Sequence, residues 1–191
     1  MFVRIKKIKG FPYAYLVKNK WKKGKTMQKT VKYLGKVIET NQNEIQLKNL
    51  IPKFHSINSA KELFTNLVKK QLEILGFKPK SKNVYFNQEM NLQFNFKSFS
   101  FKQNNKICIL KVNNGFLCSF NLKKLGKAIE DCVSCRDEDF YIYGKELAKT
   151  FVDSGFLFTK EQFQALIVIL FQLREKNANR VGLTTENNFK D

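Results

Sequence analysis

The sequence predicts an α+β protein: a small N-terminal three-stranded antiparallel β module, followed by a mixed α/β core ending in helices. Three observations carry this. Residues 1–38 alternate apolar and polar side chains at the period of two that marks strands, with glycine-bearing turns between. Residues 59–76 repeat apolar side chains at helical spacing between a capping sequence and a glycine. After about residue 120 the helical period dominates.

Strands are expected at 2–8, 12–21 and 26–34. Gly10 with Pro12 marks the first turn, and Lys22-Lys23-Gly24-Lys25 the second, where Gly24 takes a positive φ at little cost. In the middle strand Tyr13, Tyr15 and Val17 share one face, opposite Ala14 and Leu16. In the third, Met27, Val31 and Tyr33 oppose Gln28, Thr30 and Lys32. So small a sheet buries too little to be stable alone, so it is expected to pack on the rest of the chain or firm up on a ligand.

Residues 39–57 lose the pattern and read as a linker. Ser59-Ala60-Lys61-Glu62 has capping-box form. Leu63, Phe64, Leu67, Val68, Leu72 and Leu75 then mark an amphipathic helix that Gly76 closes. Residues 83–112 are β-rich, with a phase slip near Lys97-Ser98 that requires a bulge or a turn. Lys106 to Val112 is a strand ending at the turn Asn113-Asn114-Gly115. Helices follow at about 120–130, at about 143–154 with Gly155 after it, and at about 160–175 behind Thr159-Lys160-Glu161-Gln162. The last is apolar nearly all round, which predicts burial in the core or a homodimer contact through 160–175. The expected organisation is a basic module at 1–38, a linker at 39–57, a core at 58–176 and a polar, fraying tail at 177–191.

Charge narrows the class of partner. Residues 1–38 hold twelve Lys or Arg and no Asp or Glu, in a chain of net charge +19. Clustered excess charge raises the free energy of the folded state unless an anionic partner offsets it. The candidate nucleic-acid-binding residues are Arg4, Lys6, Lys18, Lys20, Lys22, Lys23, Lys25, Lys29 and Lys32 for phosphates, with Trp21, Tyr13 and Tyr15 for stacking on unpaired bases. Lysine outnumbers arginine thirty-one to four. Lysine is a point charge whereas arginine is the bidentate reader of guanine, so backbone and shape recognition are expected, with RNA, ribosomal RNA included, favoured over DNA. Lys123, Lys124 and Lys127 on one helix, with Lys78, Lys80 and Lys82 in a loop, offer a second basic surface.

The string Tyr13-Ala14-Tyr15-Leu16-Val17, then Trp21, Lys23-Gly24-Lys25 and Gln28 to Val37, resembles the N-terminal segment of DDE-class insertion-sequence transposases. The same opening, with Asn114-Gly115-Phe116-Leu117-Cys118 later, resembles short uncharacterised archaeal proteins. The first resemblance covers residues 2–37 and implies a shared module that faces nucleic acid. It implies a DNA partner and a link to transposition more than RNA. It does not carry catalysis, because too few residues follow for a ribonuclease-H-like domain with three metal-binding carboxylates.

Other chemistry finds less support. Cys108, Cys118, Cys132 and Cys135 have a spacing unlike the two close pairs of common zinc sites, and no metal or cofactor is expected. Reduced thiols and a cytoplasmic location are expected, since Met1 leads into a charged strand and no apolar run reaches membrane-spanning length. Glu130, Asp131, Asp137, Glu138 and Asp139 crowd the Cys132–Cys135 segment, and the helix–strand–strand order of 59–112 is similar to that of restriction-endonuclease-like folds. A metal-dependent nuclease is therefore the one enzymatic alternative, but the strand Ile109-Leu110-Lys111-Val112 lacks the acid it needs. The acidic stretch reads more simply as a solvated loop docking on the chain's own lysines. His55, the single histidine, has no nucleophile motif near it. A basic protein-interaction or lipid-surface module is a further alternative, weakened for lipid because the charge lies on strands.

Overall fold

The computed structural model describes residues 1–22, 24–40 and 57–186, and the side chains of these apart from 137 and 178–186. The three N-terminal strands are β1 (Phe2–Ile8), β2 (Phe11–Lys22) and β3 (Lys25–Glu39), each antiparallel to the next. Lys9 and Gly10 both take positive φ, which is what a two-residue turn between strands of right-handed twist demands. Then come α1 (Ala60–Ile74), β4 (Lys78–Ser81), β5 (Val84–Asn87), β6 (Leu92–Asn95), β7 (Ser100–Gln103), β8 (Lys106–Val112) and β9 (Gly115–Leu117). Three helices follow: α2 (Ser119–Ser134), α3 (Phe140–Asp153) and α4 (Lys160–Glu186).

All strands belong to one sheet in the order β1-β2-β3-β8-β7-β6-β5-β4, with β9 pairing β8. The seam is the parallel ladder of Lys36–Glu39 on β3 with Cys108–Lys111 on β8. The N-terminal meander is thus hydrogen-bonded into the core sheet, and β3 continues five residues past the expected strand end at 34. Gly35 makes the seam possible. Its φ is +121°, and a Cβ there would meet the Ile107 carbonyl oxygen and lie 2.8 Å from Cys108 Cα.

The two sheet faces bury different clusters. Cys108, Leu110 and Val112 point into the large core with Phe94, Phe101 and the apolar stripes of all four helices. Ile109 points the other way, into a smaller cluster with Ala14, Leu16, Leu34, Val37 and Cys118. Val3 and Ile5 of β1 pack against that smaller cluster, which anchors the meander.

Capping follows the sequence closely. Ser59 Oγ accepts the Glu62 N–H at 3.1 Å, and Glu62 accepts the Asn58 N–H at 3.0 Å. At the other end Phe77 N–H bonds Leu72 O at 2.9 Å and Gly76 N–H bonds Glu73 O at 3.0 Å, with Gly76 at φ +78°. Thr159 and Gln162 cap α4 reciprocally. The phase slip at Lys97-Ser98 is the β6–β7 turn, with Phe99 at positive φ.

Some boundaries differ. α3 starts at Phe140, after a short 3-10 turn over Asp137–Asp139, and α4 runs on to Glu186, so the start of the polar tail is helical. Leu166, Ile169, Leu170 and Leu173 of α4 are buried, whereas Val168 and Phe171 are exposed, with Phe171 stacked on Phe140. The last helix is therefore one-sided. No helix among the described residues is long and apolar enough to cross a membrane.

Gln71 is fully buried on α1 with neither amide atom hydrogen-bonded to a described residue. A buried amide without partners costs about 1–3 kcal/mol. Gln71→Met, close in shape, is therefore expected to raise the thermal midpoint by several degrees in calorimetry. An unchanged or lower midpoint would mean the amide is satisfied.

Candidate nucleic-acid interface

The meander carries a feature that strand alternation alone did not reveal. β1 covers β2 only as far as Val17, and β8 meets β3 only from Lys36. Beyond these limits β2 and β3 continue as a two-stranded ribbon, pairing Lys18↔Lys29, Asn19↔Gln28, Lys20↔Met27, Trp21↔Thr26 and Lys22↔Lys25. Five residues past Val17 extend it by about 17 Å at the usual strand rise. Every described residue from 18 to 33 is exposed. Gly24, at φ +71°, turns the tip, and Lys23 lies outside the described residues.

Directly paired residues of an antiparallel ladder share a face. Lys18, Lys20, Lys22, Lys25 and Lys29 therefore lie on one face with Met27. Lys32, opposite Leu16, joins the same face. The other face carries Asn19, Trp21, Thr26, Gln28 and Thr30, without a charge. The division depends on two register shifts, at Leu16/Val17 and Ala14/Tyr15, which leave Val31 and Leu34 as extra residues on β3. The expected grouping of Met27 with Tyr33 is corrected by the first shift, because one inserted residue moves everything beyond it to the opposite face.

The uncharged face runs back into an aromatic shelf. Arg4 pairs with Tyr15, Lys6 with Tyr13, Tyr15 with Tyr33 and Tyr13 with Lys36, so all six share it. The Tyr33 ring lies 5.4 Å from Tyr15 and 6.3 Å from Tyr13, centroid to centroid. Lys6 Nζ stands 5.2 Å from the Tyr15 ring and Lys36 Nζ 4.9 Å from Phe11. Partial burial, reinforced by Tyr13 and Tyr15, pushes the Tyr33 hydroxyl above its ordinary pKa. Trp21 is 71% exposed, Phe11 54% and Tyr33 50%. Of these, the sequence singles out Tyr13, Tyr15 and Trp21 as candidate binding residues, while Phe11, Tyr33 and Lys36 belong to its basic, aromatic pattern without being assigned a role. The signal available for them was the glycine at 35, which marks an irregular strand.

Among the described residues, no ion pair involves a basic side chain of residues 1–38. Glu39, the first acid of the chain, pairs with Lys111 at 3.2 Å. Several later acids are matched close by: Lys124 holds Glu146 at 2.7 Å, Lys127 holds Asp131 at 3.6 Å, and Arg136 holds Glu138 and Asp139. The Lys124 ammonium, through its hydrogen bond, holds the Glu146 carboxyl below its usual range. The second basic surface is therefore partly neutralised. Of its other half, Lys78 and Lys80 lie on β4, an edge strand rather than the expected loop, since Lys78-Pro79-Lys80 lacks alternation, and Lys82 follows it. Six strand intervals of roughly 4.8 Å separate β4 from β2 along the sheet.

The cysteines do not converge. Cys108 and Cys132 lie in the large core and Cys118 in the small one on the other sheet face. Burial pushes Cys108 up to about 11 and Cys132 up to about 12, and raises Cys118 as well. A metal-binding thiol must lose its proton, which these surroundings oppose. Cys135, half-buried, donates to the Cys132 carbonyl. Among the described residues no three His, Cys, Asp or Glu side chains are grouped to hold a metal ion, and His55 lies outside them. Comparison with family models, curated proteins and solved structures finds no match to this chain.

Proposed function

We propose that this chain is a non-catalytic nucleic-acid-binding protein that grips the sugar–phosphate backbone through its N-terminal sheet, with RNA favoured over DNA. One observation carries the reading: six lysines share one face of an exposed ribbon that has no acid partner among the described residues. Six like charges so close repel one another, and polyphosphate is the ligand that turns that cost into binding through counterion release. Lysine rather than arginine on the ribbon suits backbone contact over base reading. The adjoining aromatic shelf suits bases that are free to stack, which RNA offers in its loops and ends.

The test is anisotropy binding of the full chain to single-stranded RNA, duplex RNA and duplex DNA over a salt series. Binding that weakens steeply with salt, and is tighter for RNA, is expected. Binding that is absent or indifferent to salt at moderate ionic strength would end the reading. Tighter binding to DNA would keep the interface and change the polymer.

A further inference from the structure

The two faces of the ribbon suit two different states of the same polymer. A paired segment hides its bases and offers phosphates, which is what a face holding six lysines, one methionine and no aromatic ring can use. An unpaired segment offers the π-faces of its bases, which is what Trp21, Tyr13, Tyr15 and Tyr33 can use. Because the faces lie on opposite sides of the pleat, one straight segment of ligand reaches only one of them. Lysines two residues apart on β2 stand about 6.8 Å apart, the axial rise of about two phosphates along one strand of a B-form duplex.

We infer that the preferred ligand is a junction: a duplex continued by a single-stranded tail, with the ribbon lodged between the two. The lysine face lies along the phosphates of the paired part. Trp21, near the ribbon tip, meets the first unpaired base, and the tail runs back over the tyrosine shelf. Lys6, Arg4 and Lys36 flank that path and balance the charge of the tail. This inference rests on the nucleic-acid reading above and adds the class of substrate to it.

Trp21 is the single tryptophan of the chain, so intrinsic fluorescence reports on that position alone. The experiment titrates the full chain with a blunt duplex, with one of its strands alone, and with the same duplex carrying a single-stranded tail, in RNA and DNA versions. The tailed duplex is expected to bind at least about tenfold tighter than either simple ligand, because two linked contacts act together. Trp21 emission is expected to be quenched by the tailed duplex and by the strand, but not by the blunt duplex. Trp21→Ala and Tyr33→Ala are each expected to abolish the gain in affinity that the tail brings. Both side chains are at least half exposed, so neither change threatens the fold. A tailed duplex bound no tighter than the better simple ligand overturns the junction and leaves the nucleic-acid reading standing. Absence of salt-dependent binding to every ligand overturns both. The RNA and DNA arms decide which sugar the junction carries.

Discussion

Replacing Lys18, Lys20, Lys22, Lys25, Lys29 and Lys32 together with glutamine is expected to lower affinity for nucleic acid by roughly three orders of magnitude at low salt. The slope of log K against log salt should flatten by about 5 for B-form duplex, since each phosphate contact there releases about 0.9 of a counterion. The loss should be similar across sequences, because these contacts do not read bases. A matched variant separates location from quantity. Lys97, Lys102, Lys106, Lys123, Lys149 and Lys160 are all exposed and lie outside the ribbon. Changing those six to glutamine removes the same charge and should leave most of the affinity. Equal losses in the two variants would make the charge generic and the ribbon unremarkable. Folding is a second readout. Lys18 faces Lys29 and Lys22 faces Lys25 across the ladder, and like charges so placed destabilise a pair by about 0.2–1 kcal/mol. The ribbon variant should therefore melt no lower than the parent chain, so a loss of binding cannot be laid to unfolding.

Much of the site could be read from the chain, and the limit is instructive. The basic bias of residues 1–38, the turn at Gly24 and the split of β2 into tyrosine and alanine–leucine faces all follow from composition and a period of two. The pairing of β3 does not. Its two inserted residues, Val31 and Leu34, change which side chains are neighbours, and nothing in a pure alternation marks where an insertion falls. Without the shift at Leu16/Val17, Lys29 would group with Tyr33. With it, Lys29 joins Lys32 and Tyr33 joins Tyr15. The segregation into a lysine face and an aromatic face is thus a property of the register.

The fold divides in the same way. The capping boxes at Ser59 and Thr159 and the glycine stop at Gly76 are local chemistry, and the structure keeps them. The parallel ladder between β3 and β8 joins residues some seventy positions apart, and short parallel pairing leaves no local signature. Strand β4 was missed because an exposed edge strand carrying Lys and Pro avoids the pattern that reveals buried strands. The exposure of Val168 and Phe171 on α4 depends on which side faces the core, which a helix apolar nearly all round does not disclose.

Gly35→Ala is expected to be the most damaging small substitution in the meander. The residue holds φ at +121°, a region L-residues adopt only under strain of about 1–3 kcal/mol. An added methyl would also press on the Ile107 carbonyl and on Cys108 Cα of β8, which are main-chain atoms with no rotamer to yield, and overpacking of that kind costs about 1–3 kcal/mol more. At about 2–4 °C per kcal/mol for a chain of this size, the thermal midpoint should fall by about 4–24 °C. Gly24→Ala is the control, since it shares a positive φ but would meet nothing within 4 Å. It should lose only the strain component, so a Gly35 variant that melts no lower than the Gly24 variant would refute the close approach of β3 to β8. Damage at Gly35 should also spread in a defined direction. Lys36 to Glu39 form the ladder that ties the meander to β8, and Val37 packs beside Ile109 in the smaller cluster. Hydrogen exchange in the Gly35 variant should therefore quicken first in β1–β3, while the amides of α1 and α2, buried in the larger core, stay protected. The lysine face survives the substitution itself, so any weakening of nucleic-acid binding should track the loosening of the seam as temperature rises.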